Sequence, residues 1–183
     1  KLLEESCKKL KIKFFQGSNL NVLSRFYQIS KITKAKSIVR ITADCPLIDA
    51  KIIDQVIKKF QNNNCDYLSN TINRTFPDGL DVEIFSNTVL KKTFIKAKHP
   101  FLKEHVTPYM HGKVPKGVQA GKFKTKQLLN AVDYSHIRIT LDRPEDLVLI
   151  RKIFSSLDDL CSWQEVLNLL KRNPTLKRIN NHI

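Results

Sequence analysis

Apolar positions along this chain recur at two spacings, and the alternation between them predicts its elements. Leu2, Leu3, Cys7 and Leu10 share one side of a helix over residues 1–10. A short strand is expected at 12–15, stopped by Gln16-Gly17-Ser18. Val22, Leu23, Phe26 and Ile29 form the buried stripe of a helix over 21–32. The β-branched run Ser37-Ile38-Val39-Arg40-Ile41-Thr42-Ala43-Asp44-Cys45-Pro46 reads as a buried strand tipped by an aspartate. Asp49 reads as the N-cap of the next helix, in which Ile52, Ile53, Val56, Ile57 and Phe60 repeat at helical spacing, and residues 65–69 read as a further strand. Helix and strand alternating in this way predict a mostly parallel sheet with right-handed crossovers.

The pattern then changes. Residues 73–79 read as a loop, and 80–85 alternate apolar and acidic side chains. Ser86 caps a helix carrying Val89, Leu90, Phe94 and Ala97. A short helix is expected over 101–110 and an irregular excursion over 114–123. Ile137-Arg138-Ile139-Thr140-Leu141-Asp142-Arg143-Pro144 repeats the design of the first run, an apolar strand delivering an aspartate. A helix with Leu147, Val148, Ile150, Ile153, Phe154 and Leu157 inside follows. Ser162-Trp163-Gln164-Glu165 is a capping box opening the last helix, which Pro174 ends. There is no repeat, low-complexity tract or linker, so one α/β domain is expected over 1–183.

In open α/β sheets ligands sit at the C-terminal strand ends. Asp44 and Asp142 at two such ends make a pair able to hold one hard cation such as Mg²⁺, which takes few protein carboxylates. The alternative is that each begins a helix as an N-cap, with Glu145 completing a capping box for Asp142. Asp81 and Glu83 lie two apart and would share one face of a strand, as an acidic site or as a solvated surface.

Charge adds one question. The 183 residues carry a net charge of +15, from 32 Lys and Arg against 17 Asp and Glu. The lysines are read as spread along the whole chain, which fits a solvated surface that draws in nucleotides and not a nucleic-acid reader. No apolar stretch reaches membrane-spanning length. Cys7, Cys45, Cys65 and Cys161 form no metal-type pair and suit a reducing, cytoplasmic compartment. His99, His105 and His111 recur every six residues, which scatters them around a helix. Walker-type, dinucleotide-binding and nucleophile-elbow motifs are missing, so those enzyme classes have no support.

Five segments carry a resemblance: Arg40-Ile41-Thr42-Ala43-Asp44-Cys45-Pro46-Leu47-Ile48-Asp49, Asp66-Tyr67-Leu68-Ser69-Asn70, Phe76-Pro77-Asp78-Gly79-Leu80-Asp81-Val82-Glu83, Glu104-His105-Val106-Thr107-Pro108-Tyr109, and Arg138 through Leu147. In this order they resemble the spore-coat polysaccharide SpsF-type cytidylyltransferases, relatives of the enzymes that activate 3-deoxy-octulosonate and acylneuraminate sugars. The resemblance implies a nucleotide-diphospho-sugar transferase fold (GT-A or Rossmann-like), a three-layer α/β sandwich with a mostly parallel sheet. It implies CTP as substrate, Mg²⁺ as cofactor, a small sugar-like acceptor and a homodimer, the last built on 101–123. It assigns the metal and catalysis to Asp44 and Asp142. Arg40, Asp78, Gly79, Asp81, Glu83, Glu104 and His105 are assigned to substrate by position. His105 is open to two readings, a general base or a histidine on a helix surface.

The family opens with a strand and a basic loop, A-R-x-x-S-x-R-L-P-x-K, that embraces the CTP phosphates. This sequence starts at Lys1 without it, so the resemblance implies a chain entering the fold after its first strands. Such a chain is expected to expose apolar sheet surface and to associate. A non-catalytic binding module and, on charge alone, a basic nucleic-acid-binding domain are the alternative readings.

Overall fold

The computed structural model describes residues 2–180; Lys1, the first residue of the expected N-terminal helix, lies outside them. In chain order the elements are α1 (Leu2–Lys9), α2 (Val22–Thr33), β1 (Ser37–Arg40), α3 (Ala50–Gln61), β2 (Tyr67–Ser69), β3 (Glu83–Ser86) and α4 (Asn87–Lys96). They continue with α5 (Pro100–His105), α6 (Pro108–His111), β4 (Thr125–Gln127), α7 (Pro144–Ser156), α8 (Trp163–Arg172) and α9 (Pro174–Lys177). Within the span expected to be one domain the chain forms two compact units, one of residues 1–38 and 86–123, the other of 39–85 and 124–183.

The first unit is helical. α2 packs against α4 and α5. Its buried centre includes Leu23, Val89, Leu90, Leu102, Val106 and Met110, and Tyr27 stacks on Phe94 at 4.2 Å between centroids. Asn21 Oδ1 caps α2 by accepting from the Ser24 amide at 3.0 Å. The helix expected over 101–110 is two helices, because Val106 turns to φ 70° and ends α5, and Pro108, which has no N–H to donate, opens α6 at its first position. Residues 12–15, expected as a strand, are irregular. The arm after α6 folds back on it, with the Gly121 amide donating to the Tyr109 carbonyl at 2.8 Å and Phe123 edge-on to Tyr109.

The strands form one open sheet in the order β1-β3-β2-β4. The α/β class holds, and the sheet is mixed. β2 runs parallel to β4 (Tyr67 opposite Thr125) but antiparallel to β3 (Leu68 opposite Ile84). A parallel connection needs a crossover helix, and none lies between β2 and β3. Instead buried Asn70 turns the chain back: its amide donates to Leu80 O at 2.6 Å and its Oδ1 accepts from Val82 N at 2.9 Å.

The core of the second unit joins Ile52, Val56 and Phe60 of α3 and Leu149, Ile150 and Ile153 of α7 to Leu68 and Ile84 of the sheet. Trp163 at the start of α8 packs edge-on to both Phe76 and Tyr134. The expected caps at Asp49, Ser86 and Ser162 are present. Among the described residues no helix is long and apolar enough to cross a membrane.

One expectation about charge is corrected. Residues 2–38 and 86–123 carry 16 Lys and Arg against three Glu, whereas residues 39–85 and 124–180 carry 15 against 14 Asp and Glu. The basic excess belongs almost wholly to the first unit. Linear spacing hid this, because that unit is assembled from two separated segments.

Buried Asp49 does more than cap α3: one oxygen accepts from Lys51 N at 2.7 Å and the other from Trp163 N at 3.0 Å, tying the starts of α3 and α8. Asp49→Ala removes both acceptors and is expected to destabilise the protein by about 2–4 kcal/mol, combining a lost cap with an orphaned buried N–H. A denaturant melt of the variant measures it.

Candidate active site

Neither aspartate-tipped run is the long strand expected. β1 stops at Arg40, Ile41 is 40% exposed, and residues 42–48 turn through bonds from Cys45 N to Thr42 O and from Ile48 N to Cys45 O. Residues 137–141 make one isolated parallel bridge, Arg138 opposite Asp78, and no ladder. The chain there is shared between two loops. On one side Asp78 N donates to Ile137 O and Ile139 N to Asp78 O. On the other, Asp44 O accepts from Leu141 N at 2.8 Å and from Thr140 Oγ1 at 2.9 Å. These bonds bring the backbone of Asp44 beside that of residues 140–141, so Asp44 and Asp142 lie at one place in the second unit.

Neither side chain is an N-cap. α3 is capped by Asp49, and α7 has Arg143 at its N-cap. The capping carboxylate of α7 is Asp146, not Asp142 or Glu145: its Oδ2 accepts from the amides of both Asp142 and Arg143 at 3.1 Å. The Asp142 carboxylate is therefore turned outward, 51% exposed, and meets Arg138 Nη2 at 2.8 Å. The half-buried Asp44 carboxylate takes one hydrogen bond among the described residues, from the Cys45 thiol at 3.7 Å. Burial pushes that thiol up, so it acts as a neutral donor.

Arg138 is the centre of the arrangement. Its guanidinium reaches Asp146 through Nε at 3.1 Å and Nη2 at 2.7 Å, Asp78 through Nη1 at 3.1 Å, and Asp142 through Nη2. Arg74 holds the other oxygen of Asp78 at 3.2 Å and makes a fork to Asp81, one arm of it at 2.8 Å. Four carboxylates thus share two guanidiniums, and Asp44 adjoins them. Among the described residues no three His, Cys, Asp or Glu side chains converge to hold a metal ion, so a divalent cation here would rest on two carboxylates at most.

Burial alone would raise the Asp146 carboxyl. The Arg138 fork, the Asn180 amide at 2.8 Å and the two backbone N–H groups outweigh it and hold the group well below the usual carboxylate range. Asp78 is shifted upward, chiefly by burial, against the pull of Arg74 and Arg138. The Arg138 guanidinium is pushed above its ordinary value, first by its hydrogen bonds to Asp146.

Gly79 lets the acidic loop lie this close. Its φ is +110°, and a Cβ there would stand 2.6 Å from Ile139 C and Thr140 N. Arg40 and Glu83, two further residues expected at the substrate, face one another as an ion pair. Glu83 is buried and also accepts from Tyr67 Oη at 2.6 Å. Burial next to that carboxylate pushes the Tyr67 phenol well up, so it stays a donor. Asp81 and Glu83 do not lie on one strand and have different partners: Asp81 precedes β3 and pairs with Arg74, while Glu83 pairs with Arg40 and Tyr67. Glu104 and His105 are exposed on α5 in the first unit, where the His105 ring lies 4.4 Å from Phe101. Arg74, Arg138, Asp146 and Asn180 escaped sequence reasoning. The one available signal was an arginine four residues before each of two aspartates, Arg74 to Asp78 and Arg138 to Asp142.

The chain is similar to known proteins over nearly its whole length. A family described as Cytidylyltransferase matches residues 1–171. The chain is 32% identical over 180 residues to the uncharacterized protein MJ1063 of Methanocaldococcus jannaschii, spanning 98% of this chain and 71% of that protein. It is 28% identical over 176 residues to the spore coat polysaccharide biosynthesis protein SpsF of Bacillus subtilis, spanning 94% and 70%. A solved cytidylyltransferase from Leptospira borgpetersenii superposes with a TM-score of 0.88 at 32% identity, over 97% of this chain and 73% of that one. The expected nucleotide-sugar transferase type of fold is the fold these chains share.

Two tests follow from the Arg138 cluster. Arg138→Ala leaves Asp146 buried without its cation and is expected to cost about 3–5 kcal/mol in a denaturant melt. The pH dependence has a definite sign. Because Asp146 titrates lower in the folded chain than in the unfolded one, the unfolded state takes up the proton first as pH falls. Its contribution is complete above about pH 4 and is lost progressively below that. Asp78, shifted upward, contributes with the opposite sign. Asp146→Asn is expected to flatten the acid limb of a Tm-against-pH profile; an unchanged limb would contradict the assignment.

Proposed function

The chain belongs to the cytidylyltransferase family, and on that premise we propose that it transfers CMP from CTP to a sugar acid or related small acceptor, releasing pyrophosphate, in surface-polysaccharide biosynthesis. The observation that supports the reading is the pair of bonds from Thr140 and Leu141 to the Asp44 carbonyl, which joins the backbone of Asp44 to the segment that leads into Asp142. Their carboxylates are hard oxygen donors, the kind Mg²⁺ prefers, and one or two suffice for an ion that keeps its remaining positions for water and phosphate. The residues present therefore fit the cation, and Asp44 and Asp142 are the ones that would hold it. When bound it would neutralise charge building on phosphate oxygens.

The protein's own part is positioning. An acceptor oxygen attacks the α-phosphorus in line and pyrophosphate leaves, a reaction governed by alignment and by electrostatics. Arg138 fixes Asp142 from below and holds Asp78 against Arg74, so the acidic loop is pre-set before substrate arrives. Asp78, Gly79 and Asp81 shape the acceptor side, with Arg40 and Glu83 as a buried brace under it. A cytoplasmic homodimer using residues 101–123 completes it. The polysaccharide role rests on the likeness to SpsF.

Asp44→Asn and Asp142→Asn are each expected to lower Mg²⁺-dependent pyrophosphate release from CTP by at least a hundredfold, about 2.7 kcal/mol of transition-state stabilisation. The acceptors to offer are 3-deoxy-octulosonate and an acylneuraminate. Full turnover in both variants would remove the metal assignment. Calorimetry of CTP with Mg²⁺ tests the substrate separately, with saturable binding expected.

A further inference from the structure

The first unit contains an open cavity of about 540 Å³, within the size range of small-molecule sites, lined by Lys31, Lys34, Lys36, Lys91, Asn87 and Thr88 among others. Four ammonium groups from three segments surround it: the last turn of α2, the turn into β1, and the second turn of α4. No carboxylate is among the lining residues. Among the described residues none of the four lysines makes an ion pair. Lys31 Nζ lies over the Tyr27 ring at 5.9 Å from its centroid, and with no carboxylate lining the cavity the four like charges favour an anion among them.

The cradle is built by Asn87. Its backbone N–H donates to Lys36 O at 2.9 Å, its side-chain amide donates to Ala35 O at 2.7 Å, and its Oδ1 accepts from the Ser30 hydroxyl at 3.4 Å. One residue thus staples the 34–36 turn and α2 to the start of α4. Lys34 sits in that turn with left-handed backbone, φ 52°. The lysine stems are therefore mounted on fixed backbone, which lowers the entropy cost of binding. Asn87 and Thr88 belong to the first turn of α4, whose positive end adds to the lysines.

We propose that this cavity binds a diphosphate group, as inorganic pyrophosphate or as part of a nucleotide. Cations on several sides and room beyond a single phosphate call for an anion with charge at more than one point. Lysines suit a phosphate as point charges, without the forked geometry that arginine imposes. The site is made within the first unit, whereas Asp44 and Asp142 belong to the second, and it does not rest on the proposed transfer reaction.

The test is calorimetric titration of inorganic pyrophosphate into the full chain at low ionic strength with EDTA present, with orthophosphate and ADP as comparisons. One-site saturable binding is expected, with orthophosphate at least about tenfold weaker. The variant Lys31→Gln, Lys34→Gln, Lys36→Gln, Lys91→Gln alters only exposed side chains and is expected to weaken pyrophosphate by about tenfold or more. Asp142→Asn is expected to leave it unchanged, which separates this site from the proposed reaction centre. Pyrophosphate tighter than ADP would identify the free anion as ligand, and the reverse order a nucleotide; both support the site. Equal affinity for orthophosphate and pyrophosphate, or undiminished binding by the quadruple variant, would overturn it. So would an RNA oligonucleotide that displaces pyrophosphate with a steep salt dependence, in favour of a nucleic-acid surface.

Discussion

Arg138 and Asp146 form the contact on which the acidic half of the second unit depends. Asp146 is fully buried, and an ionised carboxylate there is tolerable only because a guanidinium, an amide and two backbone N–H groups all converge on it. The same guanidinium faces outward to Asp78 and Asp142. One side chain thus anchors the start of α7, the acidic loop and an exposed carboxylate in a fixed relation. Because Asp146 does the capping, the Asp142 carboxylate is left exposed beside Arg138.

A second level of order comes from backbone. Gly79 allows the acidic loop to touch residues 139–140, and Asn70 folds the chain so that this loop returns along β2 as β3. Asp44 then reaches the opposite side of the 140–141 segment through its carbonyl. The carboxylates of the candidate site are mounted on irregular chain, yet each stretch is clamped by bonds between residues sixty to a hundred positions apart.

Charge is partitioned as sharply as structure. The second unit is close to neutral, with four of its acids gathered around two arginines, while the first is strongly cationic.

The amphipathic stripes of α2 and α3 and the caps at Asp49, Ser86 and Ser162 were readable from the residues alone, because helix periodicity and capping are written within four or five positions. The order of the five motifs was likewise a property of the chain as written, and it led to the right family. Other features came only with folding. Apolar β-branched residues at 137–141 looked like a strand, yet their hydrogen bonds go to Asp78 and Asp44, at separations of sixty and ninety-six residues. Whether Asp142 or Asp146 turns inward was decided by where Arg138 and Asn180 stand. The lysine cluster likewise exists only because Asn87 stitches together segments fifty residues apart. Local pattern determines which elements form and which faces are apolar; the partners of buried charges are set by long-range packing, which linear spacing does not encode.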